Sequence, residues 1–457
     1  MAPRTCCNEF TRARFLRRDA AAAGSGLPAI EAGMPAPAGT GLSRRTFLSR
    51  SLGAALAVYG GSRLGVDALE AGIAQAAASG RTDRVLVSVF LGGGMDGLSV
   101  LAPTGDAKYA ALRPTLAQPL DGTRAFAEDP TLQWSSSADA LRTLYDEGKV
   151  TVMPAIGYDH PNQSHFTSRH FWEVGELSVD GNFGWLGRFL DRHGVADNPL
   201  QGLSMNSYLS PGLAAARVPV AAVYRPDQFG LYVPGVGNAM LAPLYGAIGG
   251  LGALPSDDAA IGQARLVATE VDSIRTTLLP FQGTSGVPHS ASYPGGDFAR
   301  KLEVLGAMLA AGLPVRAVAV DAPGSWDSHA DQATTIPRDV QAVFDTILAF
   351  QRDLEARGIA DRVLVHVWTE FGRRPQENAG GTDHGAAGAS FLIGTKVKGS
   401  MVGEFPGLTS LDGQSNLKVT SDFRGVYCSL LEQWYGVDAA PIVPGAAAFA
   451  RPQLIAA

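Results

Sequence analysis

Six of the eight histidines, at positions 160, 165, 170, 329, 366 and 384, fall in or beside segments that also carry acidic or amide side chains. The segments are Asp159-His160-Pro161-Asn162-Gln163-Ser164-His165-Phe166, Asp327-Ser328-His329, Thr369-Glu370-Phe371-Gly372-Arg373-Arg374 and Gly381-Thr382-Asp383-His384-Gly385. Imidazole nitrogen and carboxylate oxygen together make a zinc-type site, or a site for a harder cation where oxygen dominates. A single Asp-His pair more often makes a loop hydrogen bond, so the metal reading rests on several pairs reaching one place.

Gly92, Gly94 and Gly97 satisfy G-x-G-x-x-G directly after an apolar run, the pattern of a dinucleotide-binding turn. Pro103 follows too soon for a good phosphate-binding helix, and no acidic residue closes a second strand about twenty positions on. A nucleotide-dependent oxidoreductase is therefore the weakest of three functional readings. The alternative use of these glycines is a tight turn that lets Asp96 reach a metal.

The elements that must carry these residues are readable from their apolar periods. Val85 to Phe90, Val150 to Met153, Val218 to Val223, Val315 to Val320 and Val363 to Val367 are continuous β-branched runs, expected as buried strands of a largely parallel sheet. Ser390 to Ile393 is a further apolar run. Arg338 to Arg357 carries Val340, Phe344, Ile347, Leu348, Phe350 and Leu354 as a stripe at helical spacing, with Gly358 in capping position. Helices are also expected over Asp297 to Ala311 and Asp422 to Tyr435, each opened by an aspartate, over His165 to Glu173, and near Asp257 to Leu279. Alternating strands and helices mean an α/β layer fold with helices on both faces. In such a sheet, ligands bind beyond the carboxyl ends of the strands, which is where the Asp/Glu/His segments fall. The Gly-, Pro- and Ala-rich stretch 198–294 reads as an insertion in a single domain spanning 79–457.

The amino-terminal region reads as an address. Ser43-Arg44-Arg45-Thr46-Phe47-Leu48 matches a twin-arginine export signal, the apolar stretch Leu52 to Val58 is too short to span a bilayer, and Ala74-Gln75-Ala76 supplies a small-residue cleavage pattern. Residues 1–78 form the leader, with the signal proper at 43–78. They hold nine arginines against five acidic residues, so the remainder carries 28 basic and 38 acidic residues. An acidic mature chain argues against nucleic acid as a partner and against a stable membrane anchor after cleavage. Cys6 and Cys7 lie in the leader, which leaves Cys428 alone. No intramolecular disulfide is then possible in the mature chain, and cysteine-ligated iron–sulfur clusters are excluded. Cys428 and Trp172, Trp185 and Trp434 occur in apolar helical patterns and are expected in the core, and His366, inside a strand, is expected as a satisfied buried histidine.

Ser43-Arg44-Arg45-Thr46-Phe47-Leu48, Gly93-Gly94-Met95-Asp96-Gly97-Leu98, Ser164-His165-Phe166, Asp327-Ser328-His329-Ala330-Asp331-Gln332, Glu370-Phe371-Gly372-Arg373 and Gly381-Thr382-Asp383-His384-Gly385 together resemble a twin-arginine-exported bacterial family. It is the domain of unknown function numbered fifteen hundred and one, grouped with the alkaline phosphatase-like superfamily that includes sulfatases and cofactor-independent phosphoglycerate mutases. The resemblance runs from about Asp83 to Tyr435. It implies an alkaline phosphatase-like fold with Asp96, Asp327, His329, Glu370, Asp383 and His384 as the metal-ligand set. It implies Ser164 as nucleophile, with Ser168 as the fallback. Phe371 stands where the superfamily has a ligand histidine, which leaves a single metal, or an oxygen-ligated calcium or magnesium in place of zinc, as an option. Arg373 would clamp an anion oxygen.

The function expected is thus an exported, periplasmic or secreted, metal-dependent hydrolase of phosphate or sulfate esters of small molecules or glycans, delivered by the twin-arginine translocase. The second reading is a non-catalytic exported binding protein that keeps the fold.

Overall fold

In the computed structural model the described residues are 84–195, 198–230, 238–255, 257, 259–283, 289 and 291–456. The expected leader, with its twin-arginine match and cleavage pattern, lies outside them. Eight strands form the main sheet: β1 (Val85–Phe90), β2 (Val150–Gly157), β3 (Gly202–Ser204), β4 (Ala221–Ala222), β5 (Ala317–Asp321), β6 (Val363–Trp368), β7 (Gly388–Ile393) and β8 (Ser421–Asp422). Their order is β8-β2-β7-β6-β1-β5-β3-β4. All neighbouring pairs are parallel except those of β7, which runs antiparallel to β2 and β6. The largely parallel sheet read from the apolar runs is the one observed.

Both faces of this sheet are covered, which is why β1 is apolar without interruption save for Ser88. Val85, Val87 and Val89 point to one face and join a core with α1 (Asp139–Asp146), α6 (Asp297–Ala310) and α7 (Gln332–Ala356). Leu86 and Phe90 point to the other and pack with α2 (His165–Val174), α3 (Trp185–His193) and α8 (Phe423–Ser429). Trp172, Trp185, Trp434 and Cys428 all lie in this second core. The stripe on α7 is buried as its period requires, and Gly358 follows with φ of 70°. Asp422 caps α8 by accepting from the Arg424 amide at 2.8 Å. Asp297 is not a cap. It is the first helical residue, and its carboxylate takes Tyr224 and Arg225 at 2.9 and 2.6 Å.

The stretch 198–294 divides. Its strands β3 and β4 continue the main sheet beyond β5, because Leu203 and Ser204 find open ladder positions beside Val318 and Ala319. Only Ala221–Ala222 of the run 218–223 pairs as strand. The helices α4 (Asn238–Gly252) and α5 (Ala259–Leu278) pack on each other outside the sheet. Among the described residues no helix is long and apolar enough to cross a membrane.

One buried strand residue makes stability depend on pH. The Ser390 hydroxyl donates to the Val367 carbonyl at 2.7 Å, so it must accept from His366 Nε2 at 3.0 Å. Among the described residues His366 Nδ1 is buried without a partner, so the histidine is satisfied there on one nitrogen only. Burial pushes its pKa down to about 3. The unfolded chain takes up a proton near pH 6.5 that the folded chain refuses, so stability is complete above that pH and lost as pH falls toward 3. His366→Gln should remove one proton's worth of this slope, roughly 1.4 kcal/mol per pH unit. Melting temperatures measured from pH 6.5 to 4 check it, and equal slopes in both proteins would contradict it.

Candidate metal centre

Because β1, β2, β5 and β6 share one direction, their carboxyl ends lie along one edge of the sheet. The antiparallel β7 begins at that edge, so the short strand Thr382–His384 that precedes it arrives there too. This is how segments separated by more than two hundred residues meet. A hairpin pairs Arg373–Glu377 with Thr382–His384 and sets His384 opposite Arg373.

Asp327 is the centre of the cluster. Its Oδ1 lies 3.1 Å from His329 Nε2 and 3.1 Å from His384 Nε2, and these two nitrogens are 3.1 Å apart. His165 Nε2 lies 3.6 Å from the other oxygen, Oδ2. Ligand atoms of His165, Asp327 and His384 all fall within 4.8 Å of one another. Burial alone would raise the Asp327 pKa, but the neighbouring imidazoles of His165, His329 and His384 and the charge of Arg373 outweigh it, and the carboxyl is held far below the usual range.

The donor set fits a divalent ion. His384 Nδ1 is 2.9 Å from the Gln163 carbonyl, which can only accept, so the proton sits on Nδ1. The lone pair on Nε2 then faces a carboxylate oxygen and a second imidazole, three Lewis bases around one point. A tetrahedral zinc with bonds of about 2.0–2.1 Å sets its ligand atoms about 3.3–3.4 Å apart, close to the spacing present here. Asp383 stands behind His329, with its Oδ1 3.5 Å from Nδ1, the place of an orienting partner for a ligand histidine.

Glu370 is brought to the cluster by an intermediary. It is 2 % exposed and accepts from the Gly93 amide at 2.9 Å, from Thr369 Oγ1 at 3.0 Å and from His165 Nδ1 at 2.7 Å. Burial would raise its pKa, but His165 and the backbone amides lower it on balance, so Glu370 is a carboxylate holding the His165 ring. Phe371 fills the place beside it, its ring 4.9 Å from that of His165 and 4.8 Å from that of His384. The glycine run serves close approach: a Cβ on Gly93 would lie 2.4 Å from the Asp327 amide, and one on Gly94 would lie 2.4 Å from the Phe371 ring.

Four residues expected at the site stand otherwise. Asp96 is completely buried and gives both oxygens to Arg113 at 2.5 and 2.9 Å, while Ser99 and the Gln332 amide take Oδ2 at 2.5 and 2.7 Å. With its lone pairs so engaged it is an anchor, not a ligand. Arg373 is buried too, donating to the carbonyls of Gly93, Gly94, Trp326 and Thr382 and to Asp327. Its Nε and Nη2 are taken up by these acceptors and one Nη1 N–H by Thr382, so the guanidinium is held inward and offers no two-pronged face to an anion. Ser164 is at the N-cap of α2, as its sequence position suggests, but its side chain makes no capping bond, and among the described residues no base is hydrogen-bonded to its hydroxyl. Ser168 is buried, donating to the Glu370 carbonyl at 2.7 Å and meeting Tyr158 at 2.9 Å.

Arg113 has no local sequence signal that would reveal it, whereas Gln332 and His165 lie in segments the sequence singles out, without a sign of their partners. Gln332 Oε1 accepts from Ser328 at 3.0 Å and Thr382 at 2.7 Å, while its amide reaches Asp96, so it ties the anchor to the loops carrying His329 and His384. His165 opens α2 just after β2, a position that the strand-end rule covers.

Residues 271–423 match the model of a family described as protein of unknown function (DUF1501). That span contains Asp327, His329, Glu370 and His384 and leaves His165 outside. No curated protein matches the chain. Solved structures with some likeness include the PsFucS1 sulfatase from Pseudoalteromonas sp., at 12% identity over 80% of this chain and 71% of that one, with a TM-score of 0.30. The phosphonate monoester hydrolase SpPMH from Silicibacter pomeroyi is 12% identical over 80% of this chain and 75% of that one, with a TM-score of 0.31. The lipoteichoic acid synthase LtaP from Listeria monocytogenes is 8% identical over 76% and 71%, with a TM-score of 0.29. Scores this low carry no argument about activity.

Proposed function

We propose that the chain is a metal-dependent hydrolase of phosphate or sulfate esters, of the alkaline phosphatase-like kind, exported by the twin-arginine route. The observation that carries this reading is the meeting of Asp327 Oδ1, His329 Nε2 and His384 Nε2 at mutual distances of 3.1 Å on the open edge of the sheet. Two imidazoles and one carboxylate favour zinc or a similar transition metal over calcium or magnesium. Three protein ligands leave a position for substrate, the arrangement of a catalytic site. A bound ion would neutralise charge on the ester oxygens.

The chain's own residues supply the rest. Glu370 fixes the His165 tautomer, and the Gln163 carbonyl fixes that of His384. The amino end of α2 points its positive dipole toward the same opening. Arg169, one helical turn beyond His165, is paired with Glu173 and lies 3.6 Å from Asp321, so only its remaining donor is left for an anion. Its Nε donates to Glu173 at 2.9 Å and its Nη2 to Tyr208 at 2.6 Å, while among the described residues Nη1 carries no hydrogen bond.

Aryl phosphates and aryl sulfates offered to the metal-free protein and to protein loaded with zinc, manganese, magnesium or calcium test the reading. Hydrolysis is expected only after loading, fastest with a transition metal. No turnover with any ion would contradict the reading and favour the non-catalytic binding protein, for which the buried Phe371 in a ligand's place speaks.

A further inference from the structure

Beyond the metal centre the same sheet edge carries a second polar cluster, where β5, β3 and β4 end. Asp321 closes β5, Asn206 and Tyr208 follow β3, and Tyr224 follows β4. Asn206 Nδ2 donates to Asp321 Oδ1 at 3.0 Å, and the Tyr208 hydroxyl donates to Oδ2. Lys301, in the second turn of α6, brings its ammonium 3.9 Å from the centre of the Tyr224 ring. The residue is only 5% exposed, and a lysine buried so deeply normally ends in an ion pair. Among the described residues this ammonium makes no hydrogen bond and no ion pair, only the contact with the Tyr224 ring. Burial lowers its pKa and the charges of Asp297 and Asp321 oppose that, so both carboxylates lie within electrostatic reach of it without pairing. Nζ is unpartnered yet not sealed, so the head of the side chain still meets solvent.

The chemistry of these groups restricts what fits between them. An anion would satisfy Lys301 but oppose Asp321, and a cation would do the reverse. A hydroxyl group suits both, because it accepts from the ammonium and donates to the carboxylate. The Asp321 side chain is 33% exposed, and each of its oxygens keeps a lone pair beside its bond to Asn206 or Tyr208. Tyr208 and Tyr224, 40% and 38% exposed, add ring surface for an apolar face. Neighbouring hydroxyls on a ring with carbon–hydrogen faces meet all of these demands. Resting on the hydrolase reading, we propose that this cluster is a sugar-binding subsite and that the ester to be cleaved is carried on a saccharide. Arg169 ties the subsite to the metal centre. Its Nη2 donates to Tyr208 at 2.6 Å and lies 3.6 Å from Asp321 Oδ2, and its own place on α2 is one helical turn beyond His165.

Two readouts on the full-length protein separate the subsite from the chemistry. On metal-free protein, saturation-transfer NMR titrations with the methyl glycosides of glucose, galactose and mannose should show binding of at least one. Lys301→Met, which keeps the length of the stem and removes the ammonium, should weaken that binding by about 10–100-fold, the weight of hydrogen bonds to a charged donor. On metal-loaded protein, kcat/KM for the 6-phosphate or 6-sulfate of the sugar that binds should exceed that for butyl phosphate or butyl sulfate by at least about 10-fold. The variant should raise KM for the sugar ester by the same factor as it weakens binding, and leave the butyl ester and the melting temperature unchanged. No saturation transfer from any of the three glycosides overturns the proposal, and so does transfer that Lys301→Met leaves intact. Equal kcat/KM for sugar and butyl esters, or an equal loss on both in the variant, overturns it too. Sugar binding that depends on Lys301, with no turnover by any ion, supports the subsite and overturns the hydrolase reading alone.

Discussion

Asp327→Asn is expected to abolish stoichiometric metal binding and to lower kcat/KM for the best ester by at least about 1000-fold, near 4 kcal/mol of transition-state stabilisation. The substitution keeps the size of the side chain but removes the negative charge on which three imidazoles and Arg373 converge. A neutral amide would turn its NH2 or its carbonyl toward His329 and His384, and neither supplies the charge that balances a divalent ion. The fold should survive, because Arg373 keeps the carbonyls of Gly93, Gly94, Trp326 and Thr382 as acceptors. Elemental analysis, kinetics and a thermal melt on the same preparation separate these effects. A variant that holds one equivalent of metal would show that Asp327 is not a ligand.

Asp96→Ala should give the opposite profile, a large loss of stability with the metal site still able to fill. Asp96 and Arg113 are a fully buried pair with two hydrogen bonds between them. Burial opposes ionisation of both, and each is kept charged by the other. Removing one partner strands the other in the interior, at a cost of about 3–5 kcal/mol. Gln332 also loses an acceptor and holds the His329 and His384 loops less firmly. Metal affinity should therefore fall by no more than about 10–100-fold, the usual price of an outer partner. Denaturant unfolding and metal titration report the two quantities independently. If Asp96→Ala instead cannot bind metal at any concentration while its stability is unchanged, Asp96 is a ligand after all.

The contrast between these two aspartates shows how far sequence reaches. The strands before Asp96 and Asp327 are both legible as β-branched runs, since a sheet covered on both faces must be apolar throughout. The rule that ligands gather at the carboxyl ends of parallel strands then places both aspartates at the right edge. What the rule cannot supply is each carboxylate's partner. Arg113 belongs to a loop with no periodic signal, yet it reaches Asp96 through the interior. Arg373 is similar: the resemblance implies an anion clamp, but the hairpin turns its guanidinium inward onto four carbonyls. His384 was legible because it precedes a clear apolar run. That this run is antiparallel, and so brings His384 to the same edge as Asp327, was not. β4 was overextended from sequence for a simpler reason: the run 218–223 is apolar because it is buried, and only Ala221–Ala222 has a neighbour to pair with.

The central claim is a cation held by Asp327, His329 and His384. The most direct test is X-ray diffraction from zinc-loaded crystals, with anomalous scattering recorded at the zinc edge. One anomalous peak per chain is predicted, about 2.0–2.2 Å from Asp327 Oδ1, His329 Nε2 and His384 Nε2. A peak seated on Asp96, or no peak at this cluster in crystals soaked at saturating zinc, would contradict the account.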